Sequence, residues 1–117
     1  MTGIERITKE RTRQIQREGW TPEHDDEHVD GELAIVAACY ATAACCQHIY
    51  VLDRDAENHE LRFVDPWPDS WALHWDKRSF RAGRTGRIRM LEKAGALIAA
   101  EIDRILREEA NGDEANK

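Results

Sequence analysis

His24, His28 and Glu32, each four residues from the next, form the pattern in this chain that could most readily do chemistry. They lie in EGWTPEHDDEHVDGE, residues 18–32, a stretch crowded with carboxylates. On one helix the three would share a face, which is how a metal ion collects ligands from a helix. Asp25 and Asp26 would add oxygen donors suited to Mg²⁺ or Mn²⁺. A plainer reading is that Gly31 breaks the helix and these groups form a solvated, capped helix entrance. The HExxH pattern of zinc proteases is not matched, because Asp25 follows His24. No motif requires a cofactor, so Mg²⁺ or Mn²⁺ at this stretch is the only metal expectation.

A second use of the same acids is Mg²⁺-dependent nucleotide hydrolysis, in the manner of all-helical NTP pyrophosphohydrolases. Asp26, Glu27 and Glu32 would then face Glu92, Glu101 or Asp103. The clustered EExxE of such enzymes is missing. The basic run offers different chemistry. Lys77, Arg78, Arg81, Arg84, Arg87 and Arg89 stand with no acid among them, and Thr85-Gly86 begins the last helical pattern. Arginines around the free N–H groups of a helix start suit a phosphate. Trp71, just upstream, can stack on a base. Trp20 reads either as a core anchor beside a helix cap or as a second stacking surface. His24 and Asp25 would then hold a ribose or a base edge. The plainer alternative is a loop whose charge pairs with the acidic stretch, within one chain or across a dimer.

The elements that must position these residues are helical. The chain has 117 residues, enough for one domain with one modest core. Residues 3–18 read as a helix with a thin apolar stripe, Ile4, Ile7 and Ile15, closed by Gly19. Thr21-Pro22 reads as an N-cap and first helical position. Residues 31–47, GELAIVAACYATAACCQ, form the strongest core pattern, expected to be central and nearly buried all round. HIYVLDRD and LRFVDPW suggest a small hairpin turning at Ala56–His59, or else an irregular loop. Trp67, Trp71 and Trp75 are four apart and would stack if that segment were helical. Residues 76–87 read as loop. Residues 86–109 form the last helix, with Ile88, Leu91, Gly95, Ile98, Ile102, Ile105 and Leu106 along one face. The two alanine-rich helices should pair antiparallel, with the first helix across them and the tryptophan segment plugging the open side.

Bulk composition narrows the partners. The net charge of -6 argues against general nucleic-acid binding. No 18-residue apolar run exists, so no membrane span is expected. The charged start, MTGIERITKERTRQ, is unlike a secretory signal. Cys39, Cys45 and Cys46 all fall in the apolar helix, which suggests reduced, buried thiols in a cytosol.

The stretch RQIQREGWTPEHDDEHVDGELAIVAACYA, together with KAGALIAAEIDRI, resembles a group of small proteins encoded by phages and prophages. The likeness runs over residues 4–106. It departs in the middle, where this chain has WPDSWALHW. It implies a phage or prophage origin and the cytoplasm of an infected bacterium, and it carries no activity with it. A second likeness, through Glu18, Gly19, Trp20 and Asp25, is to the ryanodine-receptor-type repeat domain; the later Lys-His-Pro element of that domain is missing. Prokaryotic versions are associated with nucleotide recognition in defence proteins, so this resemblance implies a nucleotide-type ligand.

The expectation is a mainly α, single domain over residues 1–110 with a disordered tail at 111–117: three main helices, an irregular Trp-rich segment and a small hairpin. The expected function is non-enzymatic sequestration of a small nucleotide or nucleotide-derived signal, an anti-defence role. Trp20, His24, Asp25, Trp71, Arg78, Arg81, Arg84 and Arg87 would form the ligand site. The alternatives are an inhibitor that binds a host protein and a Mg²⁺-dependent nucleotide hydrolase. A homodimer is expected, because the thin first helix and the opposed charge blocks call for a second surface.

Overall fold

A computed structural model describes residues 1–54 and 57–115. Its α1 spans Gly3–Arg17, α2 Pro22–Asp25 and α3 Glu32–Ala44. A hairpin of β1 (Val51–Arg54) and β2 (Leu61–Val64) follows, then a 3₁₀ turn at Leu73–Trp75 and α4 over Arg84–Ala115. The fold is mainly helical, as its apolar periodicity predicts, and no described helix is long and apolar enough to cross a membrane.

Local chemistry sets the element ends. Thr2 caps α1 reciprocally: its hydroxyl accepts from the Glu5 N–H, and the Glu5 carboxylate accepts from the Thr2 N–H. Gly19, at φ +71°, ends the helix in a conformation that costs a glycine little. Thr21 caps α2, and its hydroxyl accepts from the His24 N–H. Gly31, at φ +80°, then breaks the chain between the acidic stretch and α3. The strands pair antiparallel with Leu52 opposite Phe63 and Arg54 opposite Leu61. The expected turn at Ala56–His59 lies partly outside the described residues. The tail expected at 111–117 lies partly outside the described residues; α4 runs to Ala115.

The core is a close seam between α3 and α4. Ala37, Ala43 and Ala44 meet Ala94 and Ala100, with Leu33, Val36, Tyr40, Met90 and Leu97 filling the remaining space. The pair is antiparallel: at one end Arg87 donates to the Ala44 carbonyl, and at the other Arg107 reaches Asp26, ahead of α3. Trp71 plugs the open side and is 3% exposed. The Trp67–Trp75 segment is turns with one 3₁₀ turn rather than the α-helix its spacing allows; Pro68 and the loop around it stop a helix from forming. The rings still meet edge to face, Trp67 with Trp71 at 5.9 Å and Trp71 with Trp75 at 5.4 Å.

Three expectations need correction. α3 is not buried all round, since Ala34 and Ile35 face solvent. Cys39 is buried, but Cys45 and Cys46 are exposed, because α3 ends at Ala44 and Cys46 takes a positive φ of 59°. Most of the large apolar residues expected to face the core from α4 do not, although Met90 and Leu97 do. Leu91, Ile98, Ile102, Ile105 and Leu106 are exposed, and the alanine side of the helix is the packed one.

α1 docks through charge rather than through its thin apolar stripe. Glu10 and Gln14 are its buried residues. Glu10 meets Arg13 at 2.7 Å, Arg89 at 2.6 Å and Lys93 at 3.7 Å. Burial raises the Glu10 carboxyl, but hydrogen bonds from Arg13 and Arg89 and the nearby cations outweigh it and pull it down to about 2. Ile7 makes a close apolar contact over Gly95, where any added Cβ would fall 2.5 Å from its Cδ1.

The folded carboxyl therefore titrates below its ordinary value of 4.5. Its stabilisation is complete above that value and is lost as pH falls toward about 2. Glu10→Gln should lower stability at pH 7 by about 2–3 kcal/mol, because three cations lose their shared partner. The gap between variant and wild type, measured by urea unfolding at pH 7, 4 and 3, should narrow with acid.

Candidate functional site

The end of α1, the middle of α3, the 3₁₀ turn and the middle of α4 enclose a cavity of about 310 Å³. That is the size of a small-molecule site. Trp20, Trp75 and Tyr40 give it aromatic walls, and Gln14, Glu18, His74, Lys77 and Lys93 give it polar groups.

Each wall is fixed by a bond that the sequence makes available. The Gly19 turn brings the Trp20 N–H back to the Gln14 carbonyl at 3.0 Å. The Tyr40 hydroxyl donates to the Trp75 carbonyl at 3.1 Å and accepts from the Lys77 N–H at 3.0 Å. One oxygen on α3 thus sets both the Trp75 wall and the Lys77 position. Burial pushes the Tyr40 hydroxyl up to about 12, so it remains a protonated donor. Trp75 meets Trp20 at 6.1 Å and Trp71 at 5.4 Å, so the wall is backed by the core.

Gln14 is buried, and its amide N–H donates to Glu10 at 3.4 Å. Its Oε1 is also buried and has no hydrogen-bond partner. A buried acceptor without a partner is costly, and a ligand N–H would relieve that cost. Burial and the neighbouring Arg89 lower the pKa of Lys93, while Glu10 opposes them. A desolvated ammonium of this kind gains from a ligand anion.

A second cluster lies behind the Trp20 wall. Asp25 is fully buried and accepts from Arg11 at 2.5 Å; Arg11 also donates to the Trp20 carbonyl at 3.3 Å. His24 stacks on Trp20 with ring centroids 5.5 Å apart and meets His28 at 4.9 Å. Burial and the nearby His24 lower the His28 pKa, while Glu32 and the other acids oppose them, which favours the neutral ring at pH 7.

The residues singled out from sequence fall into separate groups. Trp20 lines the cavity, while Trp71 stands behind it in the core. His24 and Asp25 support Trp20 from the far side. Arg78 is held by Asp65 at 3.0 Å and Asp76 at 2.7 Å and lies over Trp67 at 4.9 Å, so it is engaged internally. Arg81 and Arg84 are exposed, Arg87 holds Ala44, and none of the three lines the cavity. Asp25 pairs with Arg11 and Asp26 with Arg107 rather than with the basic run, although Glu18 and Lys77 line the same cavity.

His24, His28 and Glu32 do not share a helix, because α2 ends at Asp25 and Gly31 intervenes. His28 still approaches Glu32 at 3.5 Å. Among the described residues, no group of three or more His, Cys, Asp or Glu side chains could hold a metal ion. Of the acids considered for hydrolysis, Glu92 contacts Arg6 and Arg89, and Glu101 contacts Arg104. Sequence reasoning passed over Gln14, Lys93 and Tyr40. Gln14 and Glu10 at buried positions of a polar helix were the readable signal: two polar residues four apart, on a helix whose apolar stripe is too thin to dock it. No family model matches the chain, nor does any curated protein or solved structure.

The Arg11–Asp25 pair holds Trp20 in place without lining the cavity. Asp25→Asn should lower stability by about 3 kcal/mol, the usual result of removing one partner of a buried pair. It should also free Trp20, so its fluorescence should shift to the red in the folded variant. Guanidinium unfolding and emission spectra check both outcomes.

Proposed function

We propose that this protein binds a small nucleotide or nucleotide-derived molecule in the Trp20–Trp75–Tyr40 cavity and sequesters it without turnover. The observation that carries this reading is buried Gln14, whose Oε1 has no partner, in the wall of an aromatic-lined cavity that also holds Glu18 and two lysines. A base stacks on tryptophan and presents N–H donors to a carboxamide. Phosphate oxygens then suit Lys93 and Lys77. The arginines 78, 81, 84 and 87, expected from sequence to carry the phosphate, have no part in this form of the reading. The likeness to phage and prophage proteins supports an accessory, anti-defence role in a bacterial cytoplasm, where capture of a signalling nucleotide is useful in itself.

A second reading, binding of a host protein, draws on the hairpin. Leu52, Leu61 and Phe63 share one of its faces and are exposed, Phe63 by 74%.

The test is thermal unfolding with mono-, di- and cyclic nucleotides, with and without Mg²⁺. A ligand at a hundredfold excess over its Kd stabilises the fold by about 2.7 kcal/mol, a rise of several degrees. Lys93→Met and Gln14→Leu should each weaken binding by about tenfold or more. Chromatography of the released ligand should return it unchanged. No shift with any nucleotide would overturn the reading, and altered ligand would overturn its non-enzymatic part.

A further inference from the structure

Leu91, Ile98, Ile102 and Ile105 are between 43 and 53% exposed, with Leu106 beside them. Their spacing of seven, four and three puts them in one stripe along α4. The stripe runs for roughly 21 Å at 1.5 Å per residue. It lies opposite the alanine seam, so no part of the described chain covers it. Contiguous apolar surface of this kind marks an interface.

The ends of the stripe say what covers it. Arg84 and Arg87 stand at its start, and Glu109 stands one turn past its end. All three are exposed, Arg87 while its Nε donates to the Ala44 carbonyl. The sequence is balanced about Ile98. Leu91 and Ile105 lie seven residues to either side of it, and Arg87 and Glu109 lie eleven. An antiparallel copy therefore sets Ile98 against Ile98 on a twofold axis, Leu91 against Ile105, and Arg87 against Glu109, with Arg84 one turn beyond. That self-complementarity is the requirement of an isologous dimer. A parallel copy would set like charges against each other at both ends.

We infer that two copies of this chain associate through the exposed Leu91–Ile105 stripe of α4, packed antiparallel about Ile98. This gives the arginine run a role that the cavity does not. It stands apart from the ligand reading, because the stripe and the cavity residues Lys93 and Leu97 lie on different sides of α4. The contact is at the low end for a specific interface, roughly 1,000 Å² in total, so the dimer should dissociate in the micromolar range.

Sedimentation equilibrium of the full chain, without nucleotide, tests the inference. At about 100 µM the wild type should run at twice the monomer mass. Ile98→Asp should weaken association by about 100-fold, with its helical circular dichroism unchanged because the residue is already half exposed. Leu91→Glu and Ile105→Lys should each weaken the dimer by about tenfold, and the double variant should recover it, since only an antiparallel pairing sets the new charges together. A monomeric wild type would overturn the inference and leave the stripe to a different protein. A dimer indifferent to Ile98→Asp, or one that the double variant fails to recover, would overturn it as well.

Discussion

The closeness of α3 and α4 governs the rest of this molecule. Alanine on both helices lets the backbones approach until little volume remains between them. Such a seam packs well, but it buries few large side chains. The core must therefore be completed from outside the helices, and Trp71 does so from a loop. Once Trp71 is fixed, Trp20, Trp67 and Trp75 find their edge-to-face partners around it. The cavity is the space left where this aromatic layer meets the polar face of α1. The same seam leaves the isoleucines of α4 outside, because a helix has only one side to give it.

α1 and α2 are held by a different kind of force. Their buried groups are Glu10 and Asp25, which arginines hold, and Gln14, which donates to Glu10. Buried ion pairs add less stability than apolar packing of equal size, because both charges give up water. They do impose a single arrangement, since a shifted helix would leave a charge buried without a partner. A site that must hold Trp20 at a set distance from Trp75 gains from that kind of constraint.

Much of the architecture was readable in the sequence where local chemistry decides it. Gly19, Thr21-Pro22 and Gly31 act through their own backbone preferences, and the element ends follow them. The antiparallel helix pair followed from two alanine-rich patterns. Periodicity failed on α4 for a physical reason. It finds an apolar face, but it does not say whether that face meets the chain's own core or another surface. Here the alanines take the core with Met90 and Leu97, while Leu91, Ile98, Ile102, Ile105 and Leu106 face outward. The site was only half legible. Trp20 stood out, whereas Gln14 and Lys93 look like ordinary polar residues of helix surfaces. Their burial follows from how α1 lies on α4, which no single segment encodes. The four-residue spacing of His24, His28 and Glu32 misled in the opposite way, because it presumes a continuous helix that Gly31 interrupts.

The hairpin stands apart from this economy of packing. β1 and β2 pair chiefly with each other rather than with the helices. Its base is secured where His48 stacks between Tyr50 and Phe80 and meets Asp65, which Arg78 also holds. Two strands of four residues have little stability of their own in water. Opening them exposes almost no core, so the barrier lies in the hairpin and not in the bundle. Its amides should exchange with solvent through a local event, far faster than those of the α3–α4 seam, whose protection reports the unfolding of the whole chain.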